Sequence, residues 1–236
     1  MASLFRRRAI RRRGYEAITR RGEEDGEEKA SAYEAVTLEE EGLGTEELEA
    51  RGDRFMARGQ RRASRRWFVS FKHETAFAVA EDFRLAGLSY VLAKNWRKAA
   101  AAFGNEAIQR LKSGSPHADL AAAVALLASA RCYRKILHKD EVEVGAIKFA
   151  LKKAAAMFVE GKNLQSAATC CRELAEFHEE RGELHHSLRF FLQARDYYRC
   201  NPNRNEQGVR YCHATGNLVR CRILLLSKGR PSSSSN

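Results

Sequence analysis

Three groups of residues have the types that do chemistry. The first is His185-His186 with His213 and six cysteines, Cys132, Cys170, Cys171, Cys200, Cys212 and Cys221. Imidazoles and thiolates hold metals, but the ligand spacings of structural zinc sites are absent and no CxxC pair occurs. Helical His and Cys of this kind serve packing or the surface, so no metal is expected. The cysteines read as reduced, semi-buried thiols of a cytosolic chain. There is also no Gly-rich phosphate loop, no nucleophile elbow and no pair of acid/base carboxylates in a recognisable setting. The expectation is a protein that is not an enzyme and has no cofactor.

The second group is Arg65-Arg66-Trp67-Phe68-Val69-Ser70-Phe71-Lys72. Aromatic rings beside guanidinium groups suit a membrane interface, with rings at headgroup level and cations on anionic lipid. The same aromatics also suit a plain cap on the helices that follow. The third group is the arginine blocks, Arg6 to Arg21 and Arg54 to Arg66, which help to give a formal charge of +12 and a pI near 9.7. Such a balance points to an acidic partner: nucleic acid, an anionic membrane surface or an acidic protein face. Nucleic acid fits poorly, because the N-terminal arm lacks the interleaved aromatics that stack bases.

These groups sit on or beside a helical framework. Phe77, Val79, Ala80, Phe83, Ala86, Gly87 and Tyr90 recur at three- and four-residue steps, and Ala99, Ala100, Phe103, Ala107 and Leu111 do so after the corner Ala93-Lys94-Asn95-Trp96. Two amphipathic helices with almost no linker fold back as an antiparallel hairpin. The pattern recurs: Leu126, Ser129, Ala130 and Tyr133 repeat Phe83, Ala86, Gly87 and Tyr90 after 43 residues, and Cys171, Leu174, Ala175 and His178 do so after 45 more. Ser187, Phe191 and Ala194 repeat Ala99, Phe103 and Ala107. The predicted fold is all-α, with tetratricopeptide-like antiparallel hairpins stacked into a twisted right-handed solenoid.

The domain plan is a disordered charged arm over 1–45, a short helix plus the basic, aromatic loop over 46–72, the solenoid over 73–228 and a disordered tail over 229–236. The arm alternates arginine-rich and acid-rich blocks with few apolar residues. Its first residues carry two readings, a mitochondrial presequence or a solvated basic arm. Glu46 to Arg58 is the short helix, with Leu48, Gly52, Phe55 and Met56 as a thin apolar edge. Asp119 is the cap expected for the helix running to Leu137. Leu218, Val219, Ile223, Leu224 and Leu226 would form an exposed apolar end. No apolar run approaches 18 residues, so no membrane span is predicted.

The run Phe83 to Trp96 and the small-residue stretch Ala99 to Phe103 resemble the first hairpin of the soluble NSF attachment proteins (SNAPs). Collinear matches follow at Cys132 to Lys135, Ala146 to Phe158, Gly161 to Glu179 and Ala194 to Tyr198, so the likeness covers roughly 65 to 226. It implies a vesicle-transport adaptor, peripheral on the cytosolic face of vesicle, Golgi or ER membranes. Such an adaptor wraps the SNARE four-helix bundle and recruits the AAA ATPase NSF to disassemble it. The family's SNARE-facing cations fall on Lys94, Arg134, Lys135, Lys162 and Arg210, while a further family lysine falls on Thr169. The membrane-dipping loop falls on Trp67, Phe68 and Phe71, which turns the choice above towards the membrane. The family's glycines are absent there, so stronger dependence on anionic lipid is expected. The family's NSF-contacting C-terminal segment has no counterpart before Asn236, and the expectation is poor NSF stimulation. The alternative is a generic tetratricopeptide-like scaffold for protein–protein contacts.

Overall fold

The computed structural model describes residues 44–65, 72–114 and 117–228. Among them are eight α-helices and no strand: α1 Thr45–Arg65, α2 Lys72–Leu92, α3 Trp96–Ser113, α4 Ala118–Arg134, α5 Glu141–Glu160, α6 Leu164–Glu180, α7 Leu184–Cys200 and α8 Glu206–Lys228. Their ends follow local chemistry. Asp140 and Glu143 form a reciprocal capping box at the start of α5, and Gly114, at φ 60°, ends α3 in the left-handed region. For α4 the cap is His117 rather than Asp119, which lies in the first turn, where its charge meets the helix N-terminus. That helix stops at Arg134, three residues short of expectation, and leaves Leu137 90% exposed in the connection.

Each helix packs chiefly against its neighbours in the chain. Polar ties then join alternate helices. Lys98 reaches Glu49 at 2.7 Å (α3 to α1), Arg97 reaches Glu143 at 2.6 Å (α3 to α5), and Lys148 reaches Glu183, the cap of α7, at 2.8 Å. On the other layer Arg134 meets Glu180 at 2.7 Å and Arg222 meets Glu179 at 2.6 Å, joining α4, α6 and α8. The odd helices thus form one layer and the even helices the other, and successive corners alternate between two edges. This is the helical hairpin solenoid expected from the repeats.

Small residues set the spacing between layers. Ala99, Ala100 and Ala102 are fully buried on α3, and a β-carbon at Gly87 of α2 would lie 2.7 Å from the Phe103 ring, so only glycine admits that ring. The main core gathers Phe158, Leu184, Phe191, Tyr198 and Val219, and a second gathers Ile147, Leu151, Leu174 and Phe177.

Helix α1 runs seven residues beyond Arg58, and its packing edge is made by glycines as well as by apolar side chains. Leu48 is buried, Gly52 receives the ring of Tyr90, with a would-be β-carbon 2.6 Å from it, and Gly59 faces Phe83. At the other end, α8 corrects two expectations: Val219 is fully buried and Ile223 packs on the core, whereas Leu218, Leu224 and Leu226 are exposed together with Leu225. The cysteines divide into buried Cys132, Cys170, Cys171 and Cys212 and exposed Cys200 and Cys221. Burial pushes the thiols of Cys132 and Cys171 up to about 12, which makes them inert.

Candidate functional site

The corners carry the candidate binding residues. Three of them, α2–α3, α5–α6 and α6–α7, share one hydrogen-bonded turn. In the first, the amide of Lys94 donates to the carbonyl of Val91 and that of Asn95 to Tyr90, at 3.0 and 2.9 Å. Lys162 and Asn163 repeat this onto Val159 and Phe158, and Gly182 and Glu183 onto Glu179 and His178. These are Schellman turns, in which the penultimate residue adopts the left-handed conformation and is ordinarily glycine. Gly182 obeys at φ 73°, but Lys94 at φ 56° and Lys162 at φ 58° stand where a β-carbon costs about 1 kcal/mol. Asn95 and Asn163 then cap the next helix by accepting from the amides of Lys98 and Ser166.

The five sequence-assigned cations do not form one cluster. Lys94, Arg134 and Lys135 lie on one edge of the solenoid. Lys94 and Lys135 are exposed, and the Lys135 ammonium sits 4.3 Å above the Trp96 ring, so the α2–α3 and α4–α5 corners meet. Arg134 is half-buried and shared among Glu173, Glu176 and Glu180, which makes it a tie between α4 and α6 as well as a surface cation. Lys162 lies on the opposite edge, as does exposed Arg210 near the start of α8. Thr169 faces inward: its hydroxyl donates to the Gln165 carbonyl at 3.1 Å and lies 3.3 Å from the Tyr198 hydroxyl. Trp67, Phe68 and Phe71 lie outside the described residues.

Two buried polar pairings are not legible in the sequence. His178 is 3% exposed, with Nδ1 2.6 Å from a Glu183 carboxylate that Lys148 and Arg181 also hold. Hydrogen bonding to Lys148, His178 and Arg181 outweighs burial and lowers Glu183 to about 2, while burial lowers His178 and favours neutral imidazole. His186 is 5.2 Å from His178 ring to ring. Between α2 and α3, Glu106 accepts from Arg110 and is pushed up to about 7 by burial, with Arg110 pulling the other way. The repeat marks the His178 position, but not its acid partner, which comes from the next corner.

The arrangement therefore offers exposed cations on rigid corners, with polar groups elsewhere engaged in holding helices together. A comparison with curated proteins finds no match. The model of one protein family, described as "Soluble NSF attachment protein, SNAP", matches residues 50–212, more than half of the chain. Together with the stacked hairpins that those residues form, this match establishes that the chain belongs to the soluble NSF attachment protein family.

Proposed function

We propose that this protein is a SNAP-type adaptor that binds a SNARE four-helix bundle through Lys94, Lys135, Lys162 and Arg210, with Arg134 both binding and bracing. It works peripherally on the cytosolic face of vesicle, Golgi or ER membranes, held there by Trp67, Phe68 and Phe71, and presents the bundle to an NSF-type AAA ATPase. One observation carries the reading. Two of three equivalent turns place lysine where glycine is favoured, and strain kept at exposed positions marks residues retained for contact rather than for stability. SNARE bundles present acidic stripes, and cations on both edges of a solenoid suit a broad, screened contact that sets register and on-rate. Among the described residues no helix is long and apolar enough to cross a membrane, which agrees with peripheral attachment.

The test is binding of the full chain to an assembled SNARE bundle at low and moderate salt. Salt-sensitive binding that falls about tenfold or more in Lys94→Glu/Lys162→Glu is the expected result. A folded chain that ignores the bundle at low salt removes the adaptor reading and leaves a tetratricopeptide-like scaffold in its place.

A further inference from the structure

We propose that the outward edge of α1 is a binding site for anionic phospholipid headgroups, built from Arg51, Arg54 and Arg61, with Arg58 between them anchoring the helix. These residues follow one another at three- and four-residue steps, so they form a single row along the helix, about 15 Å long at 1.5 Å per residue. Arg61 joins the row because α1 continues past Arg58, where the helix expected from sequence ends. From Arg54 to Arg65 the helix carries no acidic residue. Two of the four acids of its first half are occupied elsewhere, Glu49 by Lys98 and Asn95, and Asp53 by Tyr90 and Lys98, and the other two, Glu46 and Glu47, stand in the first turn, away from Arg54 and Arg61.

The row is held from behind. Arg58 Nε donates to buried Asp82 of α2 at 2.8 Å, and Arg62 reaches the same carboxylate at 2.6 Å, so Arg58 is turned towards α2 and fixes the rotation of the helix while Arg54 and Arg61 stay exposed. Arg51 and Arg58 lie over the Phe55 ring, at 5.6 and 4.8 Å from its centre. Arg54 and Arg61 are exposed and make no ion pair among the described residues. Every basic residue of α1 is arginine and none is lysine. The guanidinium fork matches phosphate oxygens two at a time, whereas an ammonium is a point charge. A straight row on a convex helix edge suits a plane of headgroups. It does not suit single-stranded nucleic acid, because the one ring within it already carries guanidinium groups and is not offered to a base.

This site rests on the reading of the chain as an adaptor at a membrane and supplies that reading with a lipid class. The experiment is co-sedimentation of the full chain with phosphatidylcholine vesicles, with and without phosphatidylserine. Arg54→Gln/Arg61→Gln is expected to weaken partitioning onto the phosphatidylserine vesicles roughly thirty-fold, at the usual contribution of a cation near an anionic leaflet, and to leave binding to neutral vesicles unchanged. Arg54→Lys/Arg61→Lys, which keeps the charge but not the fork, should recover only part of the loss. Unchanged binding to anionic vesicles, an equal loss on both vesicle types, or a loss confined to a short RNA probe overturns the proposal. SNARE-bundle binding measured without lipid separates the two readings: if it persists while the arginine variant still binds phosphatidylserine, only the lipid site falls.

Discussion

Replacing Lys94 and Lys162 by glycine should stabilise the fold while weakening bundle binding. The left-handed conformation costs a residue with a β-carbon about 1–2 kcal/mol, and glycine gives back roughly 0.5–1 kcal/mol through the freedom it gains in the unfolded chain. Alanine keeps the strain and removes the charge, so it is the proper reference. At each corner the glycine variant should exceed the alanine variant by about 1 kcal/mol, the reverse of an ordinary helical site, where glycine loses by about the same amount. The corners lie on opposite edges, so the effects add to about 2 kcal/mol, or roughly 4–8 °C in Tm for a chain of this size. Thermal melts of the two double variants, read beside bundle pull-downs, measure both quantities. Glycine variants less stable than their alanine counterparts refute the strain argument. Stabilised glycine variants that still bind the bundle at wild-type strength refute the role given to the lysines.

Glu106→Gln should remove a pH-dependent loss of stability. The folded value of Glu106 lies above its ordinary 4.5, so the carboxyl contributes stability that is fully present below about 4.5 and lost as pH rises through about 7. The Tm difference between variant and parent should grow from pH 5 to 7 and level off above, and a constant difference would remove burial as the cause. Gly87→Val should cost about 2 kcal/mol, since the new side chain drives into the Phe103 ring, and chemical denaturation would read it as a lowered midpoint at constant slope. A midpoint within error of the parent would mean that the ring finds another place.

The hairpins were legible because their faces repeat. Phe83, Phe103 and Phe191 with their small neighbours mark the inward positions, and the Ala93 to Asn95 corner carries its cap in the sequence. Helix α1 is less legible because glycines and arginines look like linker composition; Gly52 and Gly59 become packing residues only when Tyr90 and Phe83 arrive from α2. Charged residues were the least legible. Nothing local tells that Arg134 will be drawn to three glutamates of α6, that Glu183 will serve His178, or that Lys94 and Lys162 will stand on opposite edges. The burial of Val219 is hidden for a related reason: one face of α8 is apolar well beyond the part that α7 and α6 cover, and periodicity alone does not say which leucines lie past the edge.

Because each helix leans chiefly on its neighbours in the chain, a load applied at one end would not be shared by the whole molecule. Held by its ends in a force spectrometer, the protein should come apart by peeling, one helix or hairpin at a time, in a staircase of small extensions rather than a single rupture. An adaptor placed between a tightly wound bundle and a motor that pulls on it would then yield from the outside inward, with the inner corners among the last parts to let go.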